Sequence, residues 1–312
     1  MSIPRMHRLL AASTAIAALV GFQALTVASP STAAGANVTY TSSQADSMKY
    51  GYSTPAAGGI STAAAVTRQV NTYGGGVIRR YYNRFPASWS TINSQSHGLP
   101  LIISFKMAPK DVNAGTYDSR LTAWFKAAPA RKTWWSYMPE PEDDIQRGQY
   151  SAAAFRTAYA RIAGLARKAN NSQLISTLTL MAYTAGSCGN GSTRNIMDYW
   201  PGSSNVDQIA FDCTNLGIKA GRYTPPSDML GDARDAAAKL GKPWGLGEIE
   251  SQKLSGDDGS GRAAWLVATA KFVAANGGRF ACYFDESLGV DYRLTDTKSR
   301  AGWRSVVVDQ TP

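Results

Sequence analysis

The stretch Thr133-Trp134-Trp135-Ser136-Tyr137-Met138-Pro139-Glu140 joins an apolar run to an acidic residue, and Trp244-Gly245-Leu246-Gly247-Glu248 repeats that arrangement further along the chain. Each apolar run is typical of a buried β-strand, and each glutamate stands where its strand is predicted to end. Around them, short apolar runs alternate with segments of helical period. Such alternation indicates βαβ units and a parallel sheet.

Eight apolar runs are predicted strands, the number that closes a (β/α)8 barrel. They are Met48–Ser53, Val77–Tyr82, Leu99–Phe105, Thr133–Met138, Leu174–Met181, Gln208–Phe211, Trp244–Gly247 and Arg279–Phe284. Between them, helical periodicity predicts helices over Thr116–Ala128, Ser151–Ala169, Ser227–Leu240 and Gly261–Ala275. A long segment from Ala185 to Asn205 has little periodicity, and loops of that length are commonly functional or disordered. The predicted fold is α/β, a single (β/α)8 TIM barrel.

Residues 1–34 are predicted to be a signal peptide for export. Arg5 and Arg8 form a positive start, an alanine-rich apolar stretch follows, and Thr32-Ala33-Ala34 supplies small residues at the cleavage site. A membrane anchor is the alternative, but no stop-transfer pattern follows, and no later stretch has the roughly 18 apolar residues of a membrane span. We therefore expect a secreted, extracellular protein without a membrane span, in which residues 35–312 form the barrel.

The charge of the chain limits the kinds of partner it can bind, and its cysteines indicate a disulfide. Without the predicted signal, 30 basic residues face 22 acidic ones, which could attract anionic polymers. Basic residues form no run, and no zinc-finger, helix-turn-helix or P-loop spacing occurs, so scattered surface charge is favoured and no nucleic-acid partner is expected. Of the three pairings that Cys188, Cys213 and Cys282 allow, we favour a Cys188–Cys213 disulfide, with Cys282 a buried thiol. We expect a monomer.

Few residues outside the carboxylates could carry chemistry. The only histidine after the predicted signal, His97, precedes a strand and so lies at the barrel end opposite the usual site. One histidine and one cysteine left over from a disulfide are too few for a common zinc site. No glycine-rich phosphate loop follows a strand, since Gly74-Gly75-Gly76 precedes one. We expect neither a metal nor a cofactor.

Carboxylates remain, and they stand at the strand ends where barrel sites form. Glu140 and Glu142 follow the fourth strand, whereas Glu248 and Glu250 follow the seventh. Periodicity alone does not choose within either pair, because residues two apart on an extended chain face the same side. Asp143 and neighbouring Asp144 suit the start of a helix. Glu140 and Glu248 are the predicted functional pair, since two carboxylates can cleave a glycosidic bond.

The strings Glu140-Pro141-Glu142-Asp143 and Gly247-Glu248 resemble the acid/base and nucleophile strings of clan A glycoside hydrolases. Glycoside hydrolase family 26, the mannanase-type family, with its secreted actinobacterial relatives, is the nearest match. Supporting strings occur in matching order at Val77–Tyr82, Tyr199–Gly202, Val206-Asp207, Phe211-Asp212 and Tyr283–Asp285. The resemblance implies a retaining, endo-acting hydrolase of a β-linked polysaccharide or oligosaccharide, such as mannan, with Glu140 as acid/base and Glu248 as nucleophile.

Two positions depart from the pattern of those relatives. Pro139 stands where they have histidine before the acid/base, and Thr214 stands where an aromatic hydroxyl would hold the nucleophile. A glycan-binding barrel that has lost catalysis is therefore the alternative, and a structural or surface protein on the same scaffold is a third. Pro139 is also expected to keep Met138 extended.

Further residues near predicted strand ends are candidates for contacting sugars. Flat aromatic faces match the C–H face of a pyranose ring, and charged or amide groups can bond its hydroxyls. The predicted substrate-binding residues are Arg79, Tyr82, Trp89, Trp135, Trp200, Asp212, Asn215, Tyr283 and Asp285. Four other tryptophans are assigned to the core, namely Trp124, Trp244, Trp265 and Trp303.

Overall fold

Eight parallel strands pair in chain order and close into a barrel, because the eighth pairs with the first. The protein is seen in a computed structural model that describes residues 48–54, 61–188 and 194–308. The strands are β1 (Lys49–Ser53), β2 (Val77–Tyr82), β3 (Leu101–Phe105), β4 (Thr133–Tyr137), β5 (Leu174–Met181), β6 (Gln208–Thr214), β7 (Trp244–Glu250) and β8 (Gly278–Tyr283). The predicted (β/α)8 barrel is confirmed. The predicted signal peptide lies outside the described residues.

Helices connect the strands. They are α1 (Thr62–Tyr73), α2 (Trp89–Ser94), α3 (Pro109–Asn113), α4 (Asp118–Lys126), α5 (Pro141–Gln146), α6 (Ala152–Arg167), α7 (Ile196–Tyr199), α8 (Pro226–Lys239), α9 (Ser260–Ala275) and α10 (Thr297–Val308). Short 3₁₀ turns cover Ala182–Ala185, Ser203–Asn205 and Leu216–Ala220, and a small hairpin pairs β9 (Ser287–Leu288) with β10 (Val290–Asp291). None of the helices in this described part of the chain is both long and apolar enough to cross a bilayer.

The predicted helices are found where the periodicity placed them. Ser151 caps α6, because its hydroxyl accepts a hydrogen bond of 3.1 Å from the Ala154 N–H. The apolar face of α6 is buried against the barrel through Phe155, Tyr159 and other side chains. Beyond α8, Gly241 has a φ of 64°, the left-handed conformation that ends many helices. The amphipathic period of each helix and the residues at its ends thus determine where the helices of the outer layer lie.

The core has two separate layers because successive strand residues face opposite sides of the sheet. Val77, Trp134 and Phe280 belong to a small cluster inside the barrel, where the Trp134 and Phe280 rings meet edge to face at 5.0 Å. A larger cluster fills the space between the strands and the helices. On β2, residues in step with Val77 therefore point into the barrel, and the residues between them point outward.

The cysteines are arranged as predicted. Cys188 and Cys213 form a disulfide with a Cα–Cα distance of 6.0 Å, which ties the chain after β5 to β6. Cys282 is a buried free thiol in the inner cluster. A crosslink that closes a loop of 25 residues stabilises a fold by about 3 kcal/mol in the chain-entropy account.

Two strands run further than their apolar patterns predict. β6 continues from Phe211 to Thr214, and β7 continues from Gly247 to Glu250. In both extensions the inward side chains are polar, because at this end of the barrel they form a charged cluster instead of an apolar core. Glu248 and Glu250 therefore lie within a strand, and the prediction that they follow it is wrong.

Candidate active site

A buried ion pair lies inside the barrel above the apolar inner cluster. Arg79 stands two residues after Val77 on β2 and so points inward. Its guanidinium donates two hydrogen bonds, of 2.6 and 2.9 Å, to the two carboxylate oxygens of Asp212 on β6. Both side chains are at most 2 % exposed. This fork-to-fork geometry fixes the charged groups in place.

Glu140 reaches the same space through an unusual turn after β4. Met138 and Glu140 both have positive φ, 45° and 55°, which residues other than glycine rarely adopt. The Met138 N–H donates to the Phe105 carbonyl at 2.8 Å, and the Glu140 N–H donates to the Thr179 carbonyl at 3.1 Å. These bonds to strands on either side hold the turn, so the expectation that Pro139 keeps Met138 extended is wrong.

Glu248 faces inward because β7 is irregular at Gly247. Phe211 pairs with Leu246, whereas the next residue, Asp212, pairs with Glu248, so Gly247 is skipped in the register. A side chain at Gly247 would collide with Arg79 and Asp212, which shows that this position also faces inward. Two consecutive residues thus point into the barrel, as at a β-bulge. The bulge places the Glu248 carboxylate beside the ion pair.

Three carboxylates therefore converge. Glu140, Asp212 and Glu248 each contribute an oxygen, and these oxygens all lie within 4.8 Å of one another. Such a group could hold a cation, but Arg79 already binds both oxygens of Asp212 and lies 3.5 Å from Glu248 Oε1. The guanidinium thus supplies the positive charge that a metal ion would bring.

A phenol hydroxyl from another strand holds Glu248. Tyr81 follows Arg79 by two residues on β2, so it also points inward, and its hydroxyl donates a short hydrogen bond to Glu248 Oε1. Thr214 bonds Glu250 Oε1 instead. Tyr81 therefore supplies the aromatic hydroxyl that position 214 lacks. Sequence reasoning did not identify Tyr81, although its spacing from Arg79 would have indicated it.

The two glutamates differ in what surrounds them. Burial, followed by the negative charges of Asp212 and Glu248, raises the pKa of Glu140 well above its usual range. A hydrogen bond with Asp212 also raises the pKa of Glu140. Burial also raises the pKa of Glu248, to about 7, while Arg79 and the Tyr81 hydroxyl oppose this by stabilising the charged form. The surroundings therefore favour the protonated form more strongly at Glu140 than at Glu248.

The neighbouring glutamates of each pair have other partners. Glu142 is buried in the first turn of α5 and accepts hydrogen bonds from the Met181 N–H at 2.9 Å and the Thr184 hydroxyl at 2.7 Å. It thus anchors the end of β5. Burial and the charge of Glu248 raise the pKa of Glu250 well above its usual range. The geometry thus pairs Glu140 with Glu248, a choice that periodicity could not make.

Most of the predicted aromatic platforms are packing residues. Tyr82, Trp135 and Tyr283 occupy outward strand positions, so they face the helices and not the barrel mouth. Trp135 packs against Phe105 and other rings, and it is 1 % exposed. Trp89 stacks on Trp124 at 4.7 Å. Their packing does not support sugar contact, which for these four residues stays a prediction.

Of the remaining candidates, two lie at the glutamate pair and three have other surroundings. Arg79 and Asp212 lie at the glutamate pair, as described above. Asn215 binds the Ser251 hydroxyl at 3.0 Å and accepts from backbone N–H groups of its own loop. Asp285 accepts from the Tyr73 hydroxyl at 2.8 Å and from the Leu294 N–H at 2.7 Å. Trp200 is half-buried against the outer core. These last three are not brought to the carboxylates.

No protein-family model and no curated protein matches the chain. Solved structures do match its fold. The endo-β-1,4-mannanase from Thermotoga petrophila has a TM-score of 0.54 at 12% identity, over 84% of this chain and 76% of that one. The catalytic domain of a GH26 endo-β-1,4-mannanase from Bacillus sp. JAMB-750 has a TM-score of 0.54 at 12% identity, over 86% and 87%.

A glucosidase from Croceicoccus marinus is also similar, with a TM-score of 0.55 at 14% identity over 84% of this chain and 67% of that one. At such identities the likeness is one of fold, and function has to be argued from the site. The chain is therefore a (β/α)8 barrel, similar in fold to GH26 endo-β-1,4-mannanases and to a glucosidase.

Proposed function

We propose that the chain is a retaining glycoside hydrolase that cleaves internal bonds of a β-linked polysaccharide, with Glu140 as acid/base and Glu248 as nucleophile. One observation carries this proposal: the two glutamates bring carboxylate oxygens within 4.8 Å of each other. Retaining enzymes hold their carboxyl groups about 5 to 5.5 Å apart, whereas inverting enzymes leave about 6.5 to 9.5 Å for a water molecule. Oxygens this close favour the shorter separation of retaining enzymes.

The protonation states support the same roles. A general acid must carry its proton near neutral pH, and a nucleophile must be ionised. The proton on Glu140 is favoured by burial and by its hydrogen bond with Asp212. The charge on Glu248 is favoured by Arg79 and Tyr81. Two carboxylates in one small space thus have opposite tasks because their neighbours differ.

The reaction follows from these positions. Glu248 attacks the anomeric carbon, and Glu140 gives its proton to the glycosidic oxygen as the bond to the leaving sugar breaks. Glu140, now ionised, takes a proton from a water molecule, whose oxygen attacks the anomeric carbon and releases Glu248. Arg79 and Tyr81 keep the Glu248 carboxylate oriented throughout.

The remaining parts of the proposal rest on the sequence. Residues 1–34 are proposed to direct export, and the Cys188–Cys213 disulfide is compatible with an oxidising, extracellular location. We propose a monomer that acts on mannan or another β-glycan without a cofactor. Because the similar structures include mannanases, mannan is the first polymer to test. The alternative of a barrel that only binds glycan is weakened, because Tyr81 supplies the hydroxyl that Thr214 does not.

The stereochemistry of the product tests the mechanism. We expect the purified protein to release reducing ends from β-1,4-mannan or another β-glycan in a panel. Proton NMR of the first product should show the β anomer before mutarotation, because two displacements at one carbon restore its configuration. An initial α anomer would instead require inversion, and binding without any release of reducing ends would favour the glycan-binding alternative.

The pH profile tests the role of Tyr81. Because Glu248 must be ionised, kcat/KM should rise as the pH passes about 7, the value to which burial raises its pKa, and should fall at higher pH as Glu140 loses its proton. Tyr81→Phe removes a donor to the charged form of Glu248, which raises its pKa. We expect the acidic limb to move up by about one pH unit or more.

Tyr223→Phe is the matched control for this prediction. It removes a hydrogen bond of 2.7 Å from a tyrosine hydroxyl to Asp257, a carboxylate outside the glutamate pair. Its acidic limb should coincide with that of the parent. An acidic limb that is the same for Tyr81→Phe and Tyr223→Phe would remove Tyr81 from the mechanism.

A further inference from the structure

A large hollow lies on the same rim of the barrel as the glutamate pair. Its volume is about 880 Å³, and it follows the C-terminal ends of β2, β3 and β4. Met138, two residues before Glu140, forms part of its wall, whereas the catalytic carboxylates do not. A glycan chain lying across the barrel mouth would continue into this hollow, which we call the rim hollow.

Positive charge dominates the rim hollow. Its walls contain four basic side chains, Arg84, Lys106, Lys110 and Arg120, and two acidic ones. One of the acids, Asp144, is engaged by Arg147 at 2.6 Å and by Lys106 at 3.4 Å.

Three of the four basic residues are available for an anion. Within the described part of the chain, no ion pair joins Arg84, Lys110 or Arg120 to a carboxylate. Arg120 lies over the Phe85 ring at 4.2 Å, and Phe85 stacks on Tyr117. This stacking holds the guanidinium plane while its N–H edge stays free to bind a carboxylate with two hydrogen bonds.

The reaction centre has the opposite charge. Even with Glu140 protonated, Asp212 and Glu248 face a single guanidinium there, so an acidic sugar at the cleavage position would be repelled. An acidic sugar in the rim hollow would instead meet unpaired cations. The excess of 30 basic over 22 acidic residues after the predicted signal would also speed the approach of an anionic polymer.

We propose that the substrate is an acidic β-glycan, an inference that rests on the proposed hydrolysis. Carboxylates of its uronic acid units bind Arg84, Lys110 and Arg120 in the rim hollow, while a neutral sugar occupies the position between Glu140 and Glu248. The polymer must therefore contain both neutral and uronic acid units. Cleavage would fall at a neutral unit close to an acidic one.

The test measures binding to the full chain carrying Glu140→Gln, which keeps ligand intact. The probes are β-1,4-mannan and β-1,4-glucan oligosaccharides, each as the parent and with a minority of C6 hydroxymethyl groups oxidised to carboxylates. Titration calorimetry should show about tenfold tighter binding of the oxidised form, on at least one backbone, at low salt. High salt should remove that advantage.

Two double variants test whether the basic residues of the rim hollow cause the tighter binding of the oxidised form. Lys110→Gln/Arg120→Gln should abolish the preference for the oxidised form. Lys168→Gln/Lys271→Gln removes two exposed charges near the C-terminal ends of α6 and α9, at the opposite end of the barrel, and should leave the preference unchanged. Equal or undetectable binding of the parent and oxidised forms, or a preference that survives Lys110→Gln/Arg120→Gln, would overturn the proposal.

Hydrolysis is tested separately with the parent protein. The hydrolytic function fails if the parent protein releases no reducing ends from any of the four probes. If that happens while the oxidised form still binds more tightly, through Lys110 and Arg120, then the acidic-glycan surface stands and the hydrolytic function does not.

Discussion

Glu248→Gln is expected to lower the rate of hydrolysis by on the order of 10⁴-fold while the barrel stays folded. Glutamine has the shape of glutamate but cannot form the covalent bond to the anomeric carbon, so the first displacement is lost. Glu140→Gln should cost about 10² to 10⁴ on a polysaccharide, the usual contribution of a general acid. Far-ultraviolet circular dichroism would confirm that both variants keep the parent fold.

Leaving-group dependence separates the two roles. An aryl glycoside with an acidic phenol needs little help from a proton donor, so its glycosidic bond should still break in Glu140→Gln. A burst of phenol followed by slow turnover is expected, because Glu140 is then missing as the base for the second step. Glu248→Gln should show neither burst nor turnover on the same substrate.

Glu142→Gln is the matched control for the pair. Burial raises the pKa of Glu142 to about 7, so the neutral glutamine is a close substitute for its protonated form. Its contacts are with Met181 and Thr184, and activity should stay within a few-fold of the parent. If Glu142→Gln abolished hydrolysis and Glu140→Gln spared it, the assignment of the acid/base would be wrong.

Arg79→Met is expected to lower the free energy of unfolding by about 3 to 5 kcal/mol, because it leaves Asp212 buried without its cation. Urea denaturation at neutral pH measures the change. The double variant Arg79→Met/Asp212→Leu should regain much of that loss, since replacing both partners removes the unpaired charge. Neither variant should hydrolyse glycans, because both lack the cation beside Glu248.

The exposed pair of Arg293 and Asp291 is the comparison for this prediction. Its two contacts of 2.8 Å resemble those of Arg79 with Asp212, but both side chains are about half exposed. Water replaces such contacts readily, so Arg293→Met should unfold at the same urea concentration as the parent. Equal losses in Arg79→Met and Arg293→Met would show that burial does not set the strength of these pairs.

The barrel could be predicted from the sequence because its signals are local. Each strand is a short apolar run, each helix has its own period and end residues, and eight strands admit few other arrangements. The limits of β6 and β7 could not be found in this way. There the inward side chains are charged, so the hydrophobic pattern stops before the strand does.

The glutamate pair could be predicted because strand ends meet at one rim, but its surroundings could not. Tyr81 reaches Glu248 across the barrel from β2, a contact between residues 167 positions apart. Tyr82, Trp135 and Tyr283 face the helices because alternation along a strand, and not nearness to its end, decides which side a ring faces. Trp135 is the clearest example, since its neighbour Trp134 is the one that points inward.

Gly247 joins the stability of this barrel to its chemistry. The position has no room for even a methyl group, because Arg79 and Asp212 fill the space in front of it. The same residue forms the bulge that turns Glu248 inward. A descendant that acquired any side chain there would disturb the ion pair and the nucleophile in one step. Glycine at this position should therefore persist only in lineages that still depend on both.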